Sequence, residues 1–105
     1  MYAQVTVLHC PMGQMTALRR MVEEDYLPAV CEFDGFISAY FMQRIDDPDM
    51  GELVQFWDNQ AAVENLHRTG MMKASLASIV ARLPGLRIQR QGYIVNAMVD
   101  DKSRV

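Results

Sequence analysis

The sequence comprises 105 residues, enough for one domain of typical size, and half of them are hydrophobic. A formal net charge of -3 argues against a nucleic-acid partner, because nucleic acids bind to basic surfaces. No apolar run approaches the ~20 residues of a membrane span, and the first residues lack the basic leader and apolar core of a signal peptide. We therefore expect a single cytoplasmic domain over residues 1–105 that does not associate with membranes, with a flexible polar tail at 100–105.

The first half of the chain predicts a strand, a helix and a second strand. Residues 2–10 are rich in β-branched side chains with an alternating pattern, which is typical of a β-strand. From Met15 onward the apolar residues recur at helical spacing, and Pro28 should kink or end the regular helix near its last turn. Residues 36–45 are again rich in strand-forming side chains and predict the second strand.

The second half of the chain predicts a strand, two helices and a last strand. Residues 52–58 form the third strand, and Asp58 or Asn59 should cap the following helix by accepting from its first backbone amides. Gly70 costs ~1 kcal/mol relative to Ala inside a helix, so we expect it to divide this region into two helices. Residues 86–99 predict the fourth strand.

The element order βαββαβ predicts an α+β fold of the ferredoxin-like type, with an antiparallel sheet and the helices on one face. In the first strand Val5 and Val7 oppose Tyr2 and Leu8, so both faces of the strand are apolar. Because the helices can cover only one face, we expect a second copy of the chain to cover the other and form a homodimer. The run at 86–99 exceeds the mean strand of ~5–6 residues, so part of it should extend to the partner.

Several short motifs along the chain resemble those of one family. They are Gly35-Phe36 at the start of the second strand, Asp47-Pro48 in the hairpin loop, Trp57 at the end of the third strand, and Ala62 with His67 on the next helix. Together they resemble the antibiotic-biosynthesis-monooxygenase-type family of the dimeric α+β barrel superfamily, and the resemblance covers nearly the whole chain. It implies a dimeric α+β barrel. Relatives of the monooxygenase type oxidise electron-rich aromatics, such as hydroquinones, without a metal or flavin.

The sequence departs from the family at informative positions. Haem-degrading relatives carry a second Trp nine residues after the strand-ending Trp and a His ligand about nineteen after it, where this chain has Leu66 and Leu76. Leucine cannot ligate iron, and no metal-ligand spacing occurs, so we expect neither haem nor any other cofactor or metal. Polyketide-tailoring relatives have an Asn four residues before the Trp, where this chain has Leu53.

The candidate site residues lie around the third strand and the helix that follows it. His67 is the leading candidate for a catalytic base, since the unperturbed pKa of histidine, ~6.5, lies near neutral pH. We expect a pocket between the sheet and the helices, with Trp57 and Met71 as walls and Tyr40 or Asn59 as hydrogen-bonding partners. In many relatives the His follows the Trp by nine residues, but His67 follows Trp57 by ten. On a helix one residue is a ~100° turn, so the alternative is a solvated His67 and a Trp57 that only packs in the core.

The sequence therefore leaves two alternative functions open. The first is a small cofactor-independent monooxygenase that acts on a phenolic or quinol-like aromatic metabolite. The second is a non-catalytic dimeric barrel that binds a hydrophobic or aromatic small molecule, or a protein partner. The oxygen consumed in the presence of hydroquinones would discriminate between them, because only the enzyme reduces oxygen.

Overall fold

The computed structural model describes residues 1–100, and over this range the chain forms one four-stranded sheet with helices on one face. The elements in chain order are β1 (Tyr2–His9), α1 (Met15–Met21), a π-helical turn (Val22–Tyr26), α2 (Leu27–Val30), β2 (Phe36–Gln43), β3 (Met50–Trp57), α3 (Gln60–Arg68), α4 (Met71–Arg82) and β4 (Arg87–Ile94). The sheet is antiparallel in the order β2-β3-β1-β4. The predicted ferredoxin-like α+β fold is confirmed. Among the described residues, no helix combines the length and the apolar character that crossing a membrane requires.

The pairing register decides which side chains face the helices. Thr6 of β1 pairs with Leu53 of β3 on one side and with Arg90 of β4 on the other. Paired residues share a face of the sheet, and successive residues of a strand alternate between faces. Thr6 and Leu53 are buried under the helices, so this row of three residues lies on the helix-covered face. It becomes one wall of the candidate site.

The first helical region is irregular, and the irregularity keeps one set of side chains buried. Leu18, Val22, Tyr26 and Val30 are all buried and recur every four residues, a longer period than the ~3.6 residues of an α-helical turn. The π-helical turn, in which the amide of Leu27 donates to the carbonyl of Val22, corrects this mismatch. The regular helix therefore ends earlier than the expected position at Pro28. The proline itself lies in the first turn of α2, where its missing N–H costs little.

The predicted helix cap after β3 and the predicted break between the next two helices are confirmed. The Asn59 side chain accepts a hydrogen bond from the backbone amide of Ala62 at 3.0 Å and begins α3. Gly70 has a φ of 75° in the left-handed region, which separates α3 from α4.

The core lies between the sheet and the helices. Its buried apolar residues are Leu8, Cys10, Met15, Leu18, Val22, Tyr26, Val30, Leu53, Trp57, Val63, Leu66, Met72, Ile79, Leu83 and Leu86. The Trp57 side chain is completely buried, and its ring meets that of Phe36 edge to face with centroids 5.4 Å apart. Burial of a Trp side chain contributes several kcal/mol of apolar transfer free energy, so Trp57 is a main stabilising residue of this core.

The other face of the sheet has no helix packed on it, although it is apolar. Val54 and its β2 partner Tyr40 lie on this open face, and Tyr40 is 58% exposed. The predicted two-sided apolar pattern is therefore present in the structure.

The last predicted strand is shorter than expected. The expected strand at 86–99 ends at Ile94, and residues 95–100 form neither strand nor helix. The physical reason is that Ile94 pairs with Tyr2, the first residue of β1, and the amide of Val95 donates to the carbonyl of Met1. Tyr2 and Ile94 are therefore the last paired residues of the two strands at this end of the sheet. Of the predicted polar tail, Asp100 is exposed and the remainder lies outside the described residues.

Gly35 marks a close approach between the loop before β2 and helix α3. It has a φ of 87°, and a Cβ atom added there would lie 2.6 Å from the Cβ of Ala62. We expect Gly35→Ala to lower the free energy of unfolding by roughly 1–2 kcal/mol for the backbone conformation and by roughly 1–3 kcal/mol more for the clash. Urea denaturation followed by circular dichroism measures this loss.

Gly70→Ala is the matched control for Gly35→Ala. Its φ of 75° is similar, but no atom lies within 4 Å of an added Cβ, so only the backbone cost applies. Equal destabilisation of the two variants would show that the contact between Gly35 and Ala62 does not constrain the fold.

Candidate active site

A small, partly open cavity of about 20 Å³ lies between the sheet and the helices. The lining residues come from three strands on one side and from α1, the π-helical turn and α4 on the other; they are Thr6, Leu8, Leu18, Val22, Tyr26, Leu53, Met72, Leu76, Ile79 and Arg90. Most of these side chains are apolar. A space of this volume holds about one water molecule, so the cavity is closed to a larger ligand in this conformation.

The cavity is polar at Tyr26. The Tyr26 hydroxyl donates a hydrogen bond to Oε1 of Gln55 at 3.2 Å, inside the protein. Burial raises the pKa of Tyr26 to about 12, and the nearby positive charge of Arg90 acts in the opposite direction. Tyr26 is therefore neutral at physiological pH and is a hydrogen-bond donor rather than a base.

A larger, open groove of about 450 Å³ adjoins the cavity. It is lined by His67, Met72, Lys73, Leu76 and Arg90. Met72, Leu76 and Arg90 line both spaces, so these three side chains form the partition between them. The groove has the volume of a typical small-molecule pocket, ~300–1,000 Å³. The groove and the cavity are therefore neighbouring spaces that share one wall.

Arg90 is the polar member of this partition. Its Nη1 atom lies 2.9 Å from the sulfur of Met72, and the guanidinium is partly buried. Among residues 1–100, the ion pairs are Arg44 with Asp46 and Arg82 with Asp25, so no carboxylate neutralises Arg90. Arg90 as a residue is exposed, so its positive charge remains available to an anionic group that enters the groove or the cavity.

Two more buried polar atoms lie on the helix-covered face without a hydrogen-bond partner in the protein. They are Oε1 of Gln4 and Nε1 of Trp57. Gln4 pairs with Gln55 across the sheet, and Trp57 is two residues further along β3 on the same face. Buried polar groups are nearly always hydrogen-bonded, so these two atoms, like Arg90, retain the capacity to bind a polar group.

The structure corrects two of the predicted pocket residues. Tyr40 pairs with Val54 on the open face, opposite to Leu53 and Gln55, so it cannot line a cavity under the helices of its own subunit. Met71 packs against the core, whereas its neighbour Met72 lines the cavity and the groove. The physical reason is that one residue on a helix is a ~100° turn.

The remaining predicted residues do not form one pocket. Trp57 is buried in the core and lines neither the cavity nor the groove. The side chain of Asn59 is the cap of α3, and it is exposed. His67 does lie at the site, but as an exposed side chain on the outer wall of the groove. The expected juxtaposition of His67 with Trp57 inside one pocket is therefore wrong.

Sequence reasoning missed Tyr26, Gln55 and Arg90 as site residues. Gln55 lies between Leu53 and Trp57 at alternate positions of a strand, which indicates that it shares their buried face. This alternation could have identified Gln55 from the sequence, because a buried glutamine requires a hydrogen-bond partner. No comparable signal in the sequence indicates that Arg90 lines a cavity.

The positions of potential ligand side chains bear on whether the protein could hold a metal ion. No three His, Cys, Asp or Glu side chains within residues 1–100 come close enough to hold a metal ion. Leu76 is part of the apolar wall of the cavity.

The sequence profile of one family, described as antibiotic biosynthesis monooxygenase, matches residues 1–78, which is most of the chain. The chain belongs to the antibiotic biosynthesis monooxygenase family. None of the curated proteins matches it. Membership is thus established by the part of the chain that contains β1 to β3 and most of the helices.

Solved structures with this fold include enzymes of known activity. The chain is similar to a cofactor-independent oxygenase, SnoaB from Streptomyces nogalater, with a TM-score of 0.77 and 10% identity over 95% of this chain and 98% of that one. It is also similar to the ActVA-Orf6 monooxygenase of Streptomyces coelicolor in complex with nanaomycin D, with a TM-score of 0.78 and 16% identity over 95% and 91%. At such identities the similarity establishes the fold alone.

A third similar structure comes from Deinococcus radiodurans and is named as a candidate antibiotic biosynthesis monooxygenase. Its TM-score is 0.81 at 14% identity, over 96% of this chain and 98% of that one. The fold therefore spans essentially the whole length of each protein, and it includes β4, which lies beyond the part that the family profile matches.

The raised pKa of Tyr26 predicts a specific loss of stability at high pH. In the unfolded chain a tyrosine deprotonates near pH 10, whereas folded Tyr26 keeps its proton to about pH 12, so rising pH in this window favours unfolding. In Tyr26→Phe this contribution is missing, and by pH 12 the variant should lose roughly 2–3 kcal/mol less than the wild type.

Urea denaturation of both proteins between pH 8 and pH 11.5 measures the difference. Tyr93→Phe, which removes an exposed tyrosine, is the control and should follow the wild type. Parallel stability curves for Tyr26→Phe and the wild type would contradict the assignment of Tyr26 as a buried, neutral group.

Proposed function

We propose that the protein is a cofactor-independent monooxygenase that acts on a phenolic or quinol-like aromatic compound. The observation that carries this proposal is the position of Arg90, a cation without an anionic partner in the wall of an apolar cavity. An electron-rich phenol reacts with oxygen through its anion, and this site combines an apolar space for the ring with a positive charge for that anion. Membership of the antibiotic biosynthesis monooxygenase family supports the same reaction class.

The substrate enters through the groove. The groove of about 450 Å³ admits an aromatic molecule, but the cavity of about 20 Å³ does not accept a ring until its partition moves. Met72 and Leu76 form the apolar part of this partition, and methionine is an unbranched, adaptable side chain. Rotation of these side chains would join the two spaces and bring the ring against Leu53 and Val22.

The electrons for oxygen reduction come from the substrate itself. One hydroquinone and one oxygen molecule give one hydroxyquinone and one water, so neither a metal nor a reductant is consumed. Loss of a hydroxyl proton produces a phenolate, a ring carbon forms a bond to oxygen, and the O–O bond then breaks as water leaves. Arg90 stabilises the phenolate by donating charge-assisted hydrogen bonds from its guanidinium.

His67 has the role of general base in this proposal. It lies in the last turn of α3 on the wall of the groove, close enough to the entrance to exchange protons with solvent. A positioned base typically contributes ~10²–10⁴-fold to the rate of proton abstraction. A proton taken by His67 leaves to water, and the phenolate stays with Arg90.

We expect His67→Gln to lower oxygen consumption with a reactive hydroquinone by about 10²-fold or more, without loss of the fold. An oxygen electrode with a panel of substituted hydroquinones measures the rate, and circular dichroism checks the structure. Glu64→Gln on the exposed side of the same helix is the control and should retain the wild-type rate. An unchanged rate in His67→Gln would exclude His67 as the base. Absence of oxygen consumption by the wild type with every phenol would favour the non-catalytic binding module instead.

A homodimer is the second part of the proposal. The open face of the sheet presents Val54, Tyr40 and Met42, of which Tyr40 is 58% and Met42 48% exposed. Apolar patches of this kind on a sheet are usually covered, and a second copy of the same face is the simplest complementary surface. A stable interface of this type buries more than ~1,000 Å² in total.

Light scattering coupled to size exclusion should give twice the mass of one chain for the wild type. We expect Val54→Asp to shift the protein to a monomer at micromolar concentration, because it places a charge in the centre of the open face. Val80→Asp, on the exposed side of α4, is the matched control and should remain a dimer. A monomeric wild type, or a dimeric Val54→Asp, would contradict assembly through this face.

A further inference from the structure

The groove beside the cavity is lined by basic side chains, and none of the residues described within 1–100 contributes an acidic side chain to it. His67 from α3, Lys73 from α4 and Arg90 from β4 contribute its polar groups, and Met72 with Leu76 completes the lining. The chain as a whole has 13 acidic and 10 basic residues, so this grouping does not follow from its composition. Three different elements bring positive or protonatable groups to the same opening. The arrangement favours a ligand with a negative charge at the entrance.

The proposed reaction leaves one of these cations without a role. Arg90 lines both the cavity and the groove and is assigned to the phenolate, and His67 is assigned to proton transfer. Lys73 lines only the groove, in the first turn of α4, and it is exposed. Neither of the ion pairs found among the described residues includes Lys73. Its ammonium group is therefore available to a ligand.

We propose that the groove binds a carboxylate group of the substrate, so that the preferred substrate is a phenolic or quinol-like aromatic acid. This proposal rests on the proposed function and specifies its substrate class. The apolar end of the molecule lies at Met72 and Leu76, toward the cavity, and the carboxylate lies between Lys73 and the outer edge of Arg90. Lys73 and Arg90 provide two permanent positive charges for a substrate that becomes a dianion when its hydroxyl is deprotonated.

The geometry of Arg90 allows one side chain to bind both the phenolate and the carboxylate of such a substrate. A guanidinium has five N–H donors in a planar fork, and the hydrogen bond that the structure gives it goes to the sulfur of Met72, a weak acceptor. It can therefore donate to a phenolate on the cavity side and to a carboxylate on the groove side at the same time. Lys73 adds a second charge from α4 that lines the groove but not the cavity.

The test uses two ligands that differ only in charge, 2,5-dihydroxyphenylacetate and 2,5-dihydroxyphenylacetamide. Isothermal titration calorimetry without oxygen measures binding without turnover. We expect the wild type to bind the acid about fivefold more tightly than the amide, the upper range for an exposed ion pair. Raising the salt concentration from 0.05 M to 0.5 M should reduce this preference, because screening weakens an exposed charge interaction.

Substitutions at Lys73 locate the preference. Lys73→Gln should remove most of it by weakening binding of the acid and leaving the affinity for the amide unchanged, and Lys73→Arg should retain it. Arg19→Gln removes one exposed positive charge from α1, outside the groove, and should behave as the wild type.

Each result decides between the two proposals. Equal binding of acid and amide, or a preference that survives Lys73→Gln, overturns the carboxylate site and leaves the proposed function standing. Failure of both ligands to bind overturns both proposals. Tight binding of the acid without oxygen consumption in air supports the carboxylate site and contradicts the proposed reaction.

Discussion

Helices pack on only one face of the four-stranded sheet, and the positions of the functional side chains follow from this constraint. Residues that alternate along β1 and β3 are either buried beneath the helices or placed on the open face, where only another molecule can cover them. Leu53 and Gln55 thus belong to the cavity side, while Val54 between them belongs to the open face. A slip of one residue in the pairing would exchange these roles and lose both the cavity and the core.

The π-helical turn has a second consequence for the site. It keeps Tyr26 in line with Leu18 and Val22 on the buried side of the first helical region, where the hydroxyl reaches Gln55. A regular α-helix drifts by ~40° for every four residues, which would carry Tyr26 away from this position. Irregular turns of this kind cost local stability and are frequent at functional sites. Here the irregularity brings a polar group into an otherwise apolar cavity.

The cavity and the groove provide two different environments for a ligand, one close to the core and one at the surface. Close to the core, apolar side chains and a neutral Tyr26 surround a space that is large enough for about one water molecule. At the surface, Lys73 and His67 lie beside an open groove, and Arg90 joins the two environments. Because Arg90 lines both spaces whereas Lys73 lines only the groove, we assign Arg90 to the reacting group and Lys73 to recognition.

The sequence by itself determined the fold class, the element order, the Asn59 cap and the break at Gly70, because these depend on periodicity and local backbone preferences. It also indicated that both faces of the sheet are apolar. The cavity was decided only by tertiary structure, since Tyr26, Leu53 and Arg90 are far apart in the chain and meet through strand register and helix packing. The same limit explains the misplacement of Tyr40 and Met71. A shift of one residue moves a side chain to the other face of a strand or turns it ~100° on a helix, and local patterns do not resolve such a shift when both sides are apolar.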